Sequence, residues 1–270
     1  MDILVCFSIA PAFDQTPENV WLVQEDDSAR VDARFLPTRI NAYDESALEL
    51  ALRLAAEAPG PLPVRLTALT IGGAGAERFL RTLCALRFDA AIRVETQEDL
   101  RFRPARVAAL LAAWTRAHMP HGVAILGRQG GEGDNGQTAY RLAEALHWPC
   151  VSDAVAIART GDAALRVTSR TDSGLLTRTV TPPCVLSVGE AADCLLRAPT
   201  LKDRMQFGRR AVDVVDAGTL GSAPGPDEPQ PQALRPIRND RRGVVLEGAD
   251  ADAAARQLCD GYLREWRTTS

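Results

Sequence analysis

The stretch GRQGGEGDNGQT, Gly127 to Thr138, holds five glycines and two acids in twelve residues, and no large apolar side chain. The apolar run GVAIL precedes it, and AYRLAEALHW follows with apolar residues at helical spacing. A strand, a glycine-rich loop and a helix in that order point to binding by the backbone. Glycine lets N–H groups turn inward, and the helix N-terminus adds a partial positive charge. Both suit an anionic phosphate. The pattern is neither GxGxxG nor GxxxxGK followed by Ser or Thr, so the dinucleotide and Walker motifs are absent. Composition by itself favours the plainer alternative, an exposed surface loop.

Other chemistry is sparse. His118, His121 and His147 are the three histidines, all at apparent helix ends or turns, where capping or surface roles fit better than general-base work. There is no GxSxG and no paired-carboxylate pattern. Asp44 and Glu45 read as first-turn helix acids. The cysteines Cys6, Cys84, Cys150, Cys184, Cys194 and Cys259 form no CxxC pair and have no histidine at metal spacing. They read as reduced core thiols of a cytoplasmic protein, and no metal site is expected. With a net charge of -4 and dispersed Lys and Arg, nothing calls for nucleic acid. The apolar run ILVCFSIA is too short to span a bilayer, so neither membrane insertion nor a signal peptide is expected.

The elements that must position the loop alternate along the first two-thirds of the 270 residues. Strands are predicted at Ile3–Ala10, VRLTALTIG, AAIRVE and GVAIL. Helices are predicted at Asp44–Ala58, AERFLRTLCALRF, PARVAALLAAWTRAH with Pro104 in its first turn, and the run ending near Trp148. Such alternation predicts an α/β fold with a parallel sheet covered by helices on both faces. From Val151 to Gly189 the helical period vanishes and TGD and DSG turn signals separate β-rich runs, predicting added antiparallel strands. A basic segment follows Gly189, then the Pro- and Gly-rich GSAPGPDEPQPQALRPIRND, read as an extended connection. The chain closes on GVVLEGADADAAARQLCDGYLREW, read as a short strand and an amphipathic helix.

Five segments in this order resemble the beta subunit of electron transfer flavoproteins, from about Met1 to Gly221 with a weaker echo in the tail. They are ILVCFSIAPAFD, NAYDESALELALRL, LTIGGAGAERFLRTLCALRFDAAIRVE, GRQGGEGDNGQT and PPCVLSVGEAADCLLRAPTLKDRMQFGRR. The resemblance implies a Rossmann-like adenine-nucleotide-binding core and an electron carrier rather than an enzyme. It also implies a heterodimer with an alpha subunit that carries the redox-active FAD, while this subunit holds AMP, or a second FAD in electron-bifurcating members. A flavin dehydrogenase or quinone oxidoreductase would exchange electrons with the pair.

Carried over residue by residue, the nucleotide contacts implied are Cys6, Asn41, Ala42, Tyr43, Asp44, Ile71, Gly127, Arg128, Gln129, Gly130, Gly131, Glu132, Gly133, Asp134, Asn135, Gly136, Gln137 and Thr138. The implied docking segment runs from Ala198 to Arg210, with Leu201 at the position of the family's exposed leucine and with Met205, Arg209 and Arg210 beside it. The implied division is a nucleotide-binding domain over residues 1–189, a docking segment over 190–221, and a linker with a strand-and-helix arm over 222–270 that packs on the alpha subunit. The chain departs from the family pattern at Phe7 and Ser8, where a basic pair is usual. It departs also at Ala42, usually Pro, and at Arg87, usually Gly. A stand-alone adenine-nucleotide sensor, similar to universal stress proteins, is the competing reading of the same fold.

Overall fold

The computed structural model describes residues 1–13, 31, 33, 35–57, 63–130, 136–161, 164–191, 195–222, 228, 232 and 243–264. They fall into two compact units, Met1–Ala233 and Leu234–Ser270. The first unit opens with β1 (Asp2–Cys6), β2 (Ile9–Pro11), β3 (Thr38–Ile40) and α1 (Ala42–Ala56). Then come β4 (Arg65–Ile71), α2 (Glu77–Ala85), β5 (Ala90–Glu95), α3 (Pro104–His118), β6 (Val123–Gly127) and α4 (Thr138–Leu146). The second half supplies β7 (Cys150–Thr160), β8 (Ala164–Thr171), β9 (Gly174–Val180), β10 (Cys184–Val188), α5 (Leu201–Phe207) and β11 (Asp213–Asp216).

Among the described residues one sheet has the order β11-β5-β4-β1-β6-β10-β7-β8-β9. Every pair from β11 to β7 is parallel, while β7–β8 and β8–β9 are antiparallel. The near-continuous apolar strands fit a sheet buried on both faces, and strand alternation divides them between two cores. Ile3, Val5, Val123 and Ile125 pack with Leu48 of α1 and Leu80 and Leu83 of α2. Leu4, Cys6, Ala124 and Leu126 pack with Leu110 and Trp114 of α3 and Leu142 of α4.

The parallel sheet with helices on both faces is as the sequence predicts, but some boundaries are not. The run Ile3–Ala10 is two strands in different sheets, because the chain leaves the sheet at Phe7–Ser8 and β2 pairs only with β3. The segment from Val151 to Gly189 is not uniformly antiparallel. Its last strand, β10, inserts between β6 and β7 and runs parallel to both, which buries all five of its residues. The short strand β11 at the sheet edge has no counterpart in the sequence reading. In the second unit residues 243–248 are not in the predicted strand, and α6 (Ala251–Leu258) continues into a π-turn at Cys259–Leu263. Asp250 caps α6 by accepting the Ala253 N–H at 2.7 Å.

Candidate functional site

After β1 the chain crosses to β4 and β5 on one side, then returns to β6 on the other side of β1. The carboxyl ends of β1, β4 and β6 therefore border a topological switch point, where open α/β sheets bind ligands. The first turn of α1 ties this point together. Asp44 is 5% exposed, and its Oδ2 accepts from the backbone N–H and the hydroxyl of Ser8, each at 2.8 Å. Its Oδ1 accepts the Gly127 N–H at 2.8 Å. One carboxylate thus holds the exits of β1 and β6 against the start of α1. Gly127 has to be glycine for this approach, since a Cβ there would lie 2.5 Å from Asp44 Oδ1. Burial pushes the Asp44 carboxyl up to about 6, against the lowering effect of hydrogen bonds from Ser8, Gly127 and Asn41.

Beyond the clamp lies a largely apolar cleft of about 250 Å³. Its floor is the strand ends, Cys6, Leu69 to Ile71, Leu126 and Gly127. One wall is the segment Phe7–Pro11 with Asn41, and another is Leu100, Arg101, Pro104, Val107 and Leu111 around the start of α3. Gln129, Gly130 and Thr138 close the end next to α4. Helix α4 has no acidic residue in its first turn, and its N-cap residue Gln137 makes no side-chain cap. The Gln137 carbonyl side chain instead accepts from Arg141 at 2.8 and 2.6 Å.

Of the predicted nucleotide contacts, Cys6, Asn41, Asp44, Ile71, Gly127, Gln129, Gly130 and Thr138 line this cleft together. Asn41 reaches across to the loop, donating from Nδ2 to the Gln129 carbonyl at 2.6 Å. Ala42 and Tyr43 begin α1 outside the lining. Arg128 turns away from the cleft: its guanidinium lies 5.7 Å from the Tyr43 ring and 3.5 Å from Asp153. Gly136 has φ +81, a left-handed value that glycine tolerates, beside the Arg128 carbonyl. Gly131, Glu132, Gly133, Asp134 and Asn135 lie outside the described residues.

Sequence reasoning missed the wall at the start of α3, because its residues carry no motif. It also missed what holds that wall. Glu228 comes back to cap α3, accepting the Ala105 N–H at 2.9 Å, and Arg106 pairs with Glu98 at 2.6 Å and with Ser222 Oγ at 2.7 Å. Nothing at the level of spacing could have linked Glu228 to Ala105. The cysteine reading agrees at Cys6, Cys84 and Cys184, which are buried free thiols, whereas Cys259 is exposed. Burial pushes the Cys184 thiol up to about 12. Among the described residues no group of three His, Cys, Asp or Glu side chains could hold a metal ion, and no helix is long and apolar enough to cross a membrane.

The predicted docking segment forms α5. Thr200 caps it, its Oγ1 accepting the Asp203 N–H at 3.1 Å. Leu201 and Met205, one turn apart, are 75% and 65% exposed and share one face. Arg209 and Arg210 follow, exposed, after the helix. The segment leading to α5 is anchored on Glu49 of α1, 3% exposed, which accepts from Arg197 Nη2 at 2.6 Å and from Arg53 Nε at 3.0 Å. Burial alone would raise the Glu49 carboxyl, but the hydrogen bonds from Arg197 and Arg53 outweigh it and hold the group below its ordinary value.

Known proteins resemble this chain over most of its length. The model of the electron transfer flavoprotein domain matches residues 31–219. A putative electron transfer flavoprotein subunit of Escherichia coli, YgcR, is 32% identical over 269 residues, covering 98% of both chains. The electron transfer flavoprotein beta subunit of Bacillus subtilis is 25% identical over 80% of this chain and 82% of its own. The acryloyl-CoA reductase electron transfer subunit gamma of Anaerotignum propionicum is 27% identical over 83% of this chain and 80% of its own. By the matched domain and by these relatives, the chain belongs to the electron transfer flavoprotein family, as a beta-type member.

Proposed function

We propose that this chain is the beta subunit of a heterodimeric electron transfer flavoprotein that holds an adenine nucleotide in the cleft at β1, β4 and β6. The observation behind the reading is the convergence there of an apolar cleft with the N-terminus of α4 at Thr138. The apolar walls suit a purine, and the α4 N–H groups suit its phosphate.

In this scheme the alpha subunit carries the FAD that stores and passes electrons. The present chain contributes structure. Asp44 shapes the nucleotide cradle, and Leu201 and Met205 meet a flavin dehydrogenase or quinone oxidoreductase. The second unit supplies an arm for the alpha subunit, since Val244, Val245, Leu258, Tyr262 and Leu263 are exposed apolar side chains within it. A stand-alone nucleotide sensor would leave these surfaces without a use.

Co-expression with a candidate alpha subunit tests the assembly. A yellow, co-eluting heterodimer is the expected result. A colourless monomer that ignores every alpha subunit and binds ATP as a self-sufficient protein would instead support the sensor.

A further inference from the structure

Helix α2 ends in a Schellman arrangement. Phe88 N–H donates to the Leu83 carbonyl at 3.1 Å and Arg87 N–H to the Cys84 carbonyl at 2.9 Å. The first of these two positions favours glycine, yet it is Arg87, held at φ +73. Its side chain is committed to α5. Nη2 donates to Asp203 Oδ1 at 3.0 Å, and the guanidinium lies 4.7 Å from the Phe207 ring. Arg210 approaches the same ring at 5.0 Å and donates to the Phe88 carbonyl at 3.2 Å. The other Asp203 oxygen accepts from the Thr200 hydroxyl at 2.6 Å. Both ends of a short helix with no buried residue are thus fastened to residues 87 and 88.

We propose that Arg87, with Arg210 and Phe207, is a latch that fixes α5 so that Leu201 and Met205 meet the electron-donating flavoprotein as a preset apolar ridge. The proposal rests on reading Ala198–Arg210 as the docking segment. A surface helix of seven residues does not hold its shape on propensity alone. Ordering it before the encounter removes that cost from binding. Arginine suits the task because its planar group can donate to a carboxylate while stacking on a ring, which lysine does less well. That reach gives a side chain at a glycine-favouring position its use.

The test uses the heterodimer carrying Arg87→Gly. Glycine accepts the left-handed backbone, so global Tm should change little while the latch is lost. Amide exchange across residues 203–207 should accelerate by about tenfold or more. With a flavin acyl-CoA dehydrogenase that reduces the wild-type heterodimer as the donor probe, its KM should rise about tenfold with kcat within about twofold. Arg87→Lys, which keeps charge but not the planar stack, should fall between. Unchanged exchange in Arg87→Gly would overturn the latch, and so would faster exchange with an unchanged KM. A Leu201→Ala heterodimer separates the underlying reading. If its KM equals that of the wild type, the docking segment is misplaced, while the exchange data still decide whether the latch exists.

Discussion

Asp44 Oδ1 accepts the backbone N–H of Gly127 at 2.8 Å across 83 residues of sequence, and that contact ties together the two strand ends that border the cleft. It joins the first turn of α1 to the end of β6, on the other side of which the glycine-rich loop begins. The same carboxylate holds Ser8, so the cleft's floor and its outer wall share one anchor.

Replacing Gly127 with Ala should break this anchor, because the new Cβ would stand 2.5 Å from Asp44 Oδ1 and 2.8 Å from Asp44 N. Steric strain and a displaced buried carboxylate together should cost roughly 2–3 kcal/mol. Thermal unfolding would register the loss, and the purified heterodimer should retain less nucleotide. Wild-type stability and full retention would contradict the clamp.

Asp44 and Glu49 should give stability opposite pH dependences. The Asp44 carboxyl is raised in the folded chain to about 6, from an ordinary value of 3.8. Its contribution is therefore fully present below about pH 4 and lost as pH rises toward 6, on the order of 3 kcal/mol. Glu49 is lowered by Arg197 and Arg53, so its contribution is present above the ordinary value of 4.5 and lost as pH falls through its folded value. Urea unfolding between pH 4 and 7, comparing wild type with Asp44→Asn, isolates the first effect. A stability difference that is flat over that range would count against it.

Arg197→Ala should leave the buried Glu49 carboxylate paired with Arg53 and cost about 2 kcal/mol. Adding Glu49→Gln to the variant should recover part of the loss, because the uncompensated charge is then gone. Denaturant midpoints for the two single variants and the double variant complete the cycle. Strict additivity would mean that the pair does not anchor the chain leading into α5.

Leu201→Ala should spare heterodimer assembly and slow electron exchange with the donor flavoprotein by roughly tenfold, the loss of one exposed apolar anchor that the donor would cover. Stopped-flow reduction and size-exclusion chromatography on the same sample separate the two effects. A failure to assemble would place Leu201 at the subunit interface instead.

Much of the scaffold was legible because its signals are local. Helix α3 runs from Pro104 to His118 as read from sequence, since Pro104 marks its first turn and apolar residues recur at helical spacing. Apolar runs marked the parallel strands for the same reason. The break at Phe7–Ser8 was hidden, because it depends on capture of Ser8 by Asp44, 36 residues away. The strand β11 is only four residues long and owes its existence to the edge of β5. At the site, the family pattern led to Asp44 and Gly127 as nucleotide contacts, but not to the bond between them. Arg87 stood out only as a missing glycine. Its partner Asp203 lies 116 residues further on, beyond the reach of periodicity or spacing.

An adenine nucleotide held at the ends of β1, β4 and β6 in the assembled carrier is released when the purified heterodimer is denatured, and chromatography identifies it. One AMP for each beta chain, alongside one FAD from the alpha subunit, is the expected result. Two FAD per heterodimer would replace AMP with a flavin in the same cleft. One FAD with no second adenine nucleotide would mean that the cleft holds none.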